Sequence, residues 1–206
     1  DFPARPDYDG EALERAFQNL FFMAGVSYYK AYPVNEIKVE AGQVDQTTAD
    51  FLSSTWQKGL GEFFYVNGLD PNTQITFPTN TNDVAQTPAK GSDGLLIGVG
   101  GGKDSLVSIE ALRNQPKVAT WSLNHKEQLQ PLMQKIGLKH FYVQRTIDTE
   151  LLDLNKIDAL NGHVPISAII SCVSTIVAIL TGYRDSVVSN EASANEPTLQ
   201  YKGAAI

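Results

Sequence analysis

Cysteine is almost missing from this 206-residue chain, where Cys172 stands alone. A single thiol excludes an internal disulfide and any zinc site built from several cysteines. Its apolar neighbours make it a packing residue. Positive charge is also scarce, with 16 Lys and Arg against 23 Asp and Glu, a net charge of −7 and a pI of about 4.9. Duplex and tRNA partners require a basic face, so the balance argues against nucleic acid. Histidine occurs three times, as His125, His140 and His163. Long apolar runs are limited to Val164–Leu180, at about 17 residues the lower edge of membrane-spanning length. That run carries Ser167, Ser171, Ser174 and Thr175, so a core helix is expected and no membrane span. No secretory signal is legible, which makes the cytoplasm the expected location.

The residues that are present divide the chain. Residues 1–70 read as a mostly helical region. Leu13, Phe17, Leu20, Phe21, Ala24 and Tyr28 repeat at helical spacing between Glu11 and Tyr32. Glu36 to Val39 is a short strand candidate. Thr47 and Asp50 form a capping-box pattern ahead of Phe51. The helix they start is expected to reach Val66 and to stop at Asn67-Gly68, where a glycine suits a left-handed cap. Residues 71–93 are rich in Pro, Thr, Asn and Gly, contain one strand-like piece at Gln74 to Phe77, and read as a linker.

From residue 94 strand and helix patterns alternate. Strands are expected at Leu95–Val99, Val118–Leu123, His140–Gln144 and Ser186–Ser189, with helices at Ser105–Arg113, Lys126–Ile136 and Pro165–Thr181. Such alternation implies an α/β fold with a parallel sheet and right-handed crossovers. The first strand is continuously apolar, as burial on both faces requires. Asp1 at the start and the unpolar ending Lys202–Ile206 read as the limits of a piece of a longer chain.

The stretch LLIGVGGGKDSLVSIEALRN, residues 95–114, runs from strand through three glycines into helix. In that context backbone N–H groups point at an anion, and the helix N-terminus adds partial positive charge. Glycines remove the Cβ atoms that would keep phosphate oxygens away. Lys103 adds a mobile charge, and Ser105 adds a hydroxyl. The turn is no Walker A motif: Ile97 stands where its first glycine belongs, and Asp104 where Ser or Thr belongs. Nor is it a dinucleotide fingerprint, because Lys103 occupies the last glycine position.

Gly100-Gly101-Gly102-Lys103-Asp104-Ser105 resembles the Ser-Gly-Gly-x-Asp-Ser loop of the PP-loop ATP pyrophosphatases, with Gly100 in place of the family's serine. The resemblance implies an open, doubly wound parallel sheet in residues 94–206. It also implies cleavage of ATP between its α and β phosphates. Gly100, Gly101, Gly102, Lys103 and Ser105 would hold nucleotide, and Asp104 would serve Mg²⁺ or brace the loop. A second polar constellation, VVSNEASANEPT at residues 187–198, follows the fourth strand. In a sheet ordered 3-2-1-4 it emerges beside the glycine turn, which makes Asn190 and Glu191 nucleotide-binding candidates.

Four pieces in order, GLGEFFYVNGLD (59–70), GVGGGKDS (98–105), NGHVPISAI (161–169) and SNEASANEPT (189–198), resemble the bacterial UDP-N-acetyl-α-D-muramoyl-L-alanyl-L-glutamate epimerases. The likeness runs from about Phe21 to the end of the chain. It implies ATP-dependent inversion of a terminal L-glutamate in peptidoglycan synthesis, with AMP and pyrophosphate as by-products and Mg²⁺ as the metal. His163 is then the first choice for moving the proton, since imidazole titrates near working pH; a helix-capping or hydrogen-bonded core histidine is the competing reading. His125, after the second strand, falls on the adenosine side, and His140 at the start of the third strand falls away from the site. Lone Cys172 cannot provide the cysteine pair of some racemases. Cations for substrate carboxylates and diphosphate are Lys58, Lys90, Arg145 and Arg184, of which Arg145 at the end of the third strand is best placed. Two other readings stay open: a PP-loop amidating or nucleobase-modifying enzyme, and a nucleotide-binding module without turnover.

Overall fold

A computed structural model describes residues 7–83, 93–154, 156–191, 194, 196–197 and 199–206. The chain divides into two compact units, each assembled from separate segments. One holds the described residues of Asp1–Phe17, Pro88–Thr146 and Ile170–Asn195; the other holds Gln18–Thr87, Ile147–Ile169 and Glu196–Ile206. The described residues of 147–169 and 196–206, read from sequence with the nucleotide-binding region, thus fall in one compact unit with residues 18–83.

The helical unit contains most of the N-terminal helices. The periodic stretch forms α1 (Gly10–Ala24) and a short α2 (Val26–Tyr29). α3 (Gln46–Gly59) starts two residues ahead of the capping box read from sequence. Its cap is Asp45, whose carboxylate accepts the Thr48 N–H at 2.8 Å. Asp50 instead takes a bond from Gln46 Nε2 at 2.8 Å. The expected continuous helix breaks at Leu60 (φ −98°, ψ 10°), and α4 (Gly61–Val66) follows. The break coincides with a close approach, because a Cβ on Gly59 would stand 2.3 Å from Pro165 Cβ. Gly68, at φ +67°, closes α4 as expected, with Leu69 N–H donating to Phe64 O at 2.9 Å.

Neither strand expected in this region forms. Ile75 N–H is taken by Gln57 Oε1 and Phe77 N–H by Ser53 Oγ, both at 2.9 Å. The 74–77 segment is therefore tied to side chains of α3, with Ile75 and Phe77 buried. Phe77 meets Trp56 edge-on at 4.8 Å. Glu36–Val39 stays largely exposed, with no strand assigned to it. Two elements had no expectation: α7 (Thr149–Leu154) and a terminal hairpin that is introduced below with the sheet strands.

In the other unit the alternation read from sequence appears as β1 (Leu95–Gly98), α5 (Lys103–Leu112), β2 (Val118–Leu123), α6 (Lys126–Ile136), β3 (Lys139–Val143), α8 (Ile166–Thr181) and β4 (Asp185–Val187). The hairpin of the helical unit pairs β5 (Gln200–Tyr201) with β6 (Ala204–Ala205). The large sheet has four strands in the order β3-β2-β1-β4, all parallel. Leu96, Ala119, Trp121 and Phe141 pack on one face with Val177 and Ala178 of α8. Ile97 and Val99 pack on the other with Ile109 of α5 and Met133 of α6. Burial of both faces accounts for the apolar β1 run. Among the described residues no helix is long and apolar enough to cross a membrane.

Candidate functional site

β1 ends at Gly98, and Val99 N–H still donates to Trp121 O at 2.8 Å. The chain then turns through Gly100–Gly102 into α5. Gly101 has φ +86°, a region that favours glycine. Gly102 is the N-cap in extended conformation, and no side chain caps the first N–H groups of α5. A Cβ placed on Gly100 or Gly102 would meet nothing within 4 Å. The bare backbone is therefore not needed for internal packing at either position.

The turn opens on a cavity of about 290 Å³. Its polar lining includes Asp104, Ser105 and Ser189, and its apolar lining Val99, Trp121, Leu123, Ile170 and Val188. The buried Ser105 hydroxyl donates to Gly102 O at 2.9 Å, which braces the turn and leaves the oxygen as an acceptor. Lys103 is exposed at the first position of α5. Because β4 lies beside β1, its following loop reaches this end of the sheet. Ser189 Oγ bonds Ser108 Oγ of α5 at 2.8 Å. Asn190 and Glu191 follow directly and are exposed. Residues 192, 193, 195 and 198 of the same motif lie outside the described residues.

A second, polar hollow of about 640 Å³ lies where β2 and β3 end, lined by Arg145, His125, Lys126 and Tyr142 among others. Asn124 and His125 adopt φ +62° and +55°, uncommon for non-glycine residues. Asn124 Oδ1 accepts the Arg145 N–H at 2.7 Å, which ties the two strand ends together. Arg145 thus shares its hollow with His125 and Lys126.

His163 belongs to the helical unit. Its Nδ1 meets the Glu62 carboxylate, with both side chains largely exposed. The loop carrying it is held firmly. Lys30 Nζ donates to Asn161 Oδ1 at 2.6 Å and to Gly162 O at 2.9 Å, and Asn67 Nδ2 donates to Asn161 O at 2.9 Å. Burial lowers the Lys30 ammonium pKa. Gly162 sits at φ +156° with Phe63 3.1 Å from where its Cβ would be. The motifs 59–70 and 161–169, distant in sequence, therefore meet in one unit. Glu62 and Lys30 were not singled out from sequence; the only signal was that Glu62 falls inside one of the quoted motifs.

The remaining candidates fall elsewhere. Arg184 precedes β4, at the opposite end of the sheet from the turn, and pairs with Asp185 at 2.9 Å. Lys58 is exposed in the last turn of α3. Lys90 lies outside the described residues. Cys172 is partly buried on α8, and burial raises its thiol pKa.

His140 is held by β2, with Nδ1 2.7 Å from Thr120 Oγ1 and Nε2 2.9 Å from Ser122 Oγ. Burial lowers its pKa to about 4, so the imidazole is neutral and structural. The unfolded chain binds this proton near pH 6.5 and the folded chain only near pH 4. Stability is therefore complete above pH 6.5 and falls as the pH drops toward 4. Between pH 7 and 5 the chain should lose about 1–2 kcal/mol more than His140→Gln, the figure being discounted for partial exposure. Urea unfolding of both proteins at the two pH values measures this; equal losses would remove His140 as the cause.

The residues at the turn fit a nucleotide phosphate. The cradle is one that a Cβ would fill, the donors are uncapped N–H groups, and Lys103 and Asp104 flank it. Among the described residues no cluster of three His, Cys, Asp or Glu forms a metal site. A Mg²⁺ ion held by one carboxylate and by phosphate oxygens needs no such cluster.

Fold and site together define an α/β protein with a bare glycine turn at the C-terminal edge of a four-stranded parallel sheet. A family model described as the MurL N-terminal domain matches residues 2–206, and the chain belongs to this family. It is 38% identical over 187 residues to a UDP-N-acetyl-alpha-D-muramoyl-L-alanyl-L-glutamate epimerase of Xanthomonas oryzae pv. oryzae, covering 89% of this chain and 41% of that protein. Proteins of the same name from Salinispora tropica and a Micromonospora species are 34% and 35% identical over 98% of this chain, and 45% and 46% of theirs. The chain thus spans less than half the length of these curated relatives. No solved structure matches it.

Proposed function

We propose that this chain is the nucleotide-handling part of a cytoplasmic, ATP-dependent epimerase. The enzyme inverts the terminal L-glutamate of UDP-MurNAc-L-Ala-L-Glu for peptidoglycan synthesis and releases AMP and pyrophosphate. The observation that carries the reading is the bare Gly100–Gly102 turn at the head of α5, in a chain of this family. On this reading the sheet unit is a PP-loop-type domain, and the helical unit serves the substrate side.

The chemistry follows from charge. An α-hydrogen beside a free carboxylate resists removal, because a second negative charge would build next to the first. Transfer of AMP to that carboxylate cancels its charge and makes the carbonyl electron-withdrawing. A side-chain base can then take the α-proton, and return from the other face followed by hydrolysis completes the inversion. Backbone N–H groups of the turn, with Lys103, hold the departing pyrophosphate. Asp104 would hold Mg²⁺, whose charge would offset that of the phosphates. Asn190 and Glu191 line the nucleotide side. His163 moves the proton: with Nδ1–H directed at Glu62, its Nε2 is left as the base. Arg145, beside His125 and Lys126, binds the anionic substrate.

Enzyme carrying this chain, given ATP, Mg²⁺ and UDP-MurNAc-L-Ala-L-Glu, should release pyrophosphate only when the peptide is present. Release that requires tRNA or a nucleobase instead would assign it to the modifying enzymes. No release with any of them would leave a binding module.

A further inference from the structure

Trp121 is 98% buried in the middle of the parallel sheet, at 2% exposure. Its ring lines the 290 Å³ cavity, yet its Nε1–H has no hydrogen-bond partner among the described residues. A buried donor left unmade costs about 1–3 kcal/mol, so a native protein seldom keeps one without a use. The neighbour in register on β1 is Gly98. A Cβ on Gly98 would stand 3.5 Å from Trp121 Nε1, in ordinary contact with it and with Val187 O at 3.6 Å. The missing side chain of Gly98 thus leaves free the position next to the buried indole N–H, where a Cβ would otherwise pack.

The walls beside the indole are largely apolar, whereas the charged and hydroxyl groups of the cavity, Asp104, Ser105, Ser122 and Ser189, complete its lining. Val99, Leu123, Ile170 and Val188 line the cavity with Trp121. Such walls suit the faces of a base or ribose and not a polyphosphate, whose place is two to four residues further on at Gly100–Gly102. The volume is also too small for a UDP-sugar peptide, since drug-sized ligands already occupy pockets of roughly 300–1,000 Å³.

We infer that Trp121 donates its indole N–H to a nucleoside acceptor, a ring nitrogen or ribose oxygen, of a nucleotide whose phosphates lie on the glycine turn. The assignment rests on the nucleotide reading above and adds a specificity residue to it. Gly98 is the matching half, because a Cβ there would pack directly against the N–H.

Equilibrium binding of adenosine, ATP and inorganic pyrophosphate tests this on the chain and on Trp121→Phe and Gly98→Ala. Trp121→Phe keeps a buried aromatic ring, smaller than the indole, and removes the donor; Gly98→Ala packs against the donor at ordinary contact distance. Both should weaken adenosine and ATP by the same factor, about tenfold, and leave pyrophosphate unchanged. The chain has two tryptophans, Trp56 and Trp121. In Trp56→Phe, which leaves Trp121 intact, adenosine should still change the indole emission. If the parent binds no nucleotide, both the nucleotide reading and this assignment fall. If the parent binds but the variants bind adenosine within twofold of it, or emission in Trp56→Phe is silent, only the assignment falls. Pyrophosphate affinity lost in step with adenosine would mark a structural defect and also overturn it.

Discussion

Replacing Gly100 or Gly102 by valine is expected to weaken ATP binding more than about a hundredfold while leaving the melting temperature within about 2 °C. The two halves of this result have separate causes. Neither position has a left-handed φ, and a Cβ at either meets no atom within 4 Å. The folded protein therefore has room for the side chain, and a surface substitution of that kind stays within about 0.5 kcal/mol. A bound phosphate has no such room, because the branched side chain fills the space over the uncapped N–H groups of α5. Hydrogen bonds from N–H groups to a charged oxygen contribute about 1.5–3 kcal/mol each, so losing two gives the hundredfold. Gly101 makes the contrast. At φ +86°, with Leu129 Cδ2 3.2 Å from its Cβ position, valine there strains the backbone itself. Gly101→Val should lower the melting temperature as well as the affinity. Isothermal titration and thermal unfolding of the three variants check the pattern. Full ATP affinity in Gly100→Val and Gly102→Val would mean that nucleotide does not sit on this turn.

The turn was legible because its signal is local: an apolar strand, three glycines and a helical period lie within twenty residues. For the same reason β2 and α6 begin and end at the expected residues, α6 being closed by Gly137 at φ +73°. The alternation implied a parallel sheet, and the order 3-2-1-4, considered only as a condition, is the one observed. What the sequence hid depends on distant partners. The helix from Gln46 breaks at Leu60 where Pro165 presses on Gly59, more than a hundred residues away in the chain. Gln74–Phe77 has a strand's composition, but its N–H groups find Gln57 and Ser53 of a helix. The β5–β6 hairpin turns at Lys202-Gly203, both at positive φ, without the Asn-Gly or Asp-Gly pair that marks such turns.

The same divide runs through the site. Residues contributed by one strand-to-helix passage, Gly100 to Ser105, were named as candidates from local context and from the resemblance of that loop to a known one. Glu62 beside His163, and Trp121 beneath Gly98, were not. Glu62 reads as an ordinary solvated helix carboxylate until residue 163 is brought to it. Trp121 reads as core until the absence of a side chain on its strand neighbour is seen. The interleaving of the two units hides in the same way, because composition changes along the chain whereas packing joins segments across it.

Asp104→Ala and Lys103→Ala should each reduce peptide-dependent pyrophosphate release about 10²–10³-fold and leave the fold intact. Both residues lie in the first turn of α5, Lys103 exposed and Asp104 on the cavity wall. Neither is part of the buried core. Removing the carboxylate from the helix N-terminus costs about 0.3–1 kcal/mol of stability, too little to unfold the protein. The two losses should differ in kind. On the proposed reading Lys103 is a point charge facing the leaving pyrophosphate, so its loss should lower the maximal rate at any Mg²⁺ concentration. Asp104 is the one carboxylate on the cavity wall among the described residues. Its loss should also move the Mg²⁺ midpoint upward, and Asp104→Asn should behave like Asp104→Ala, because an amide keeps the shape but not the charge. Initial rates across a magnesium titration separate the cases. An unshifted midpoint in both aspartate variants would remove Asp104 from the metal, and unchanged rates in all three would remove the turn from the reaction. The first turn of α5 carries only these two charged side chains, so neither can be replaced by a neighbour on the same turn.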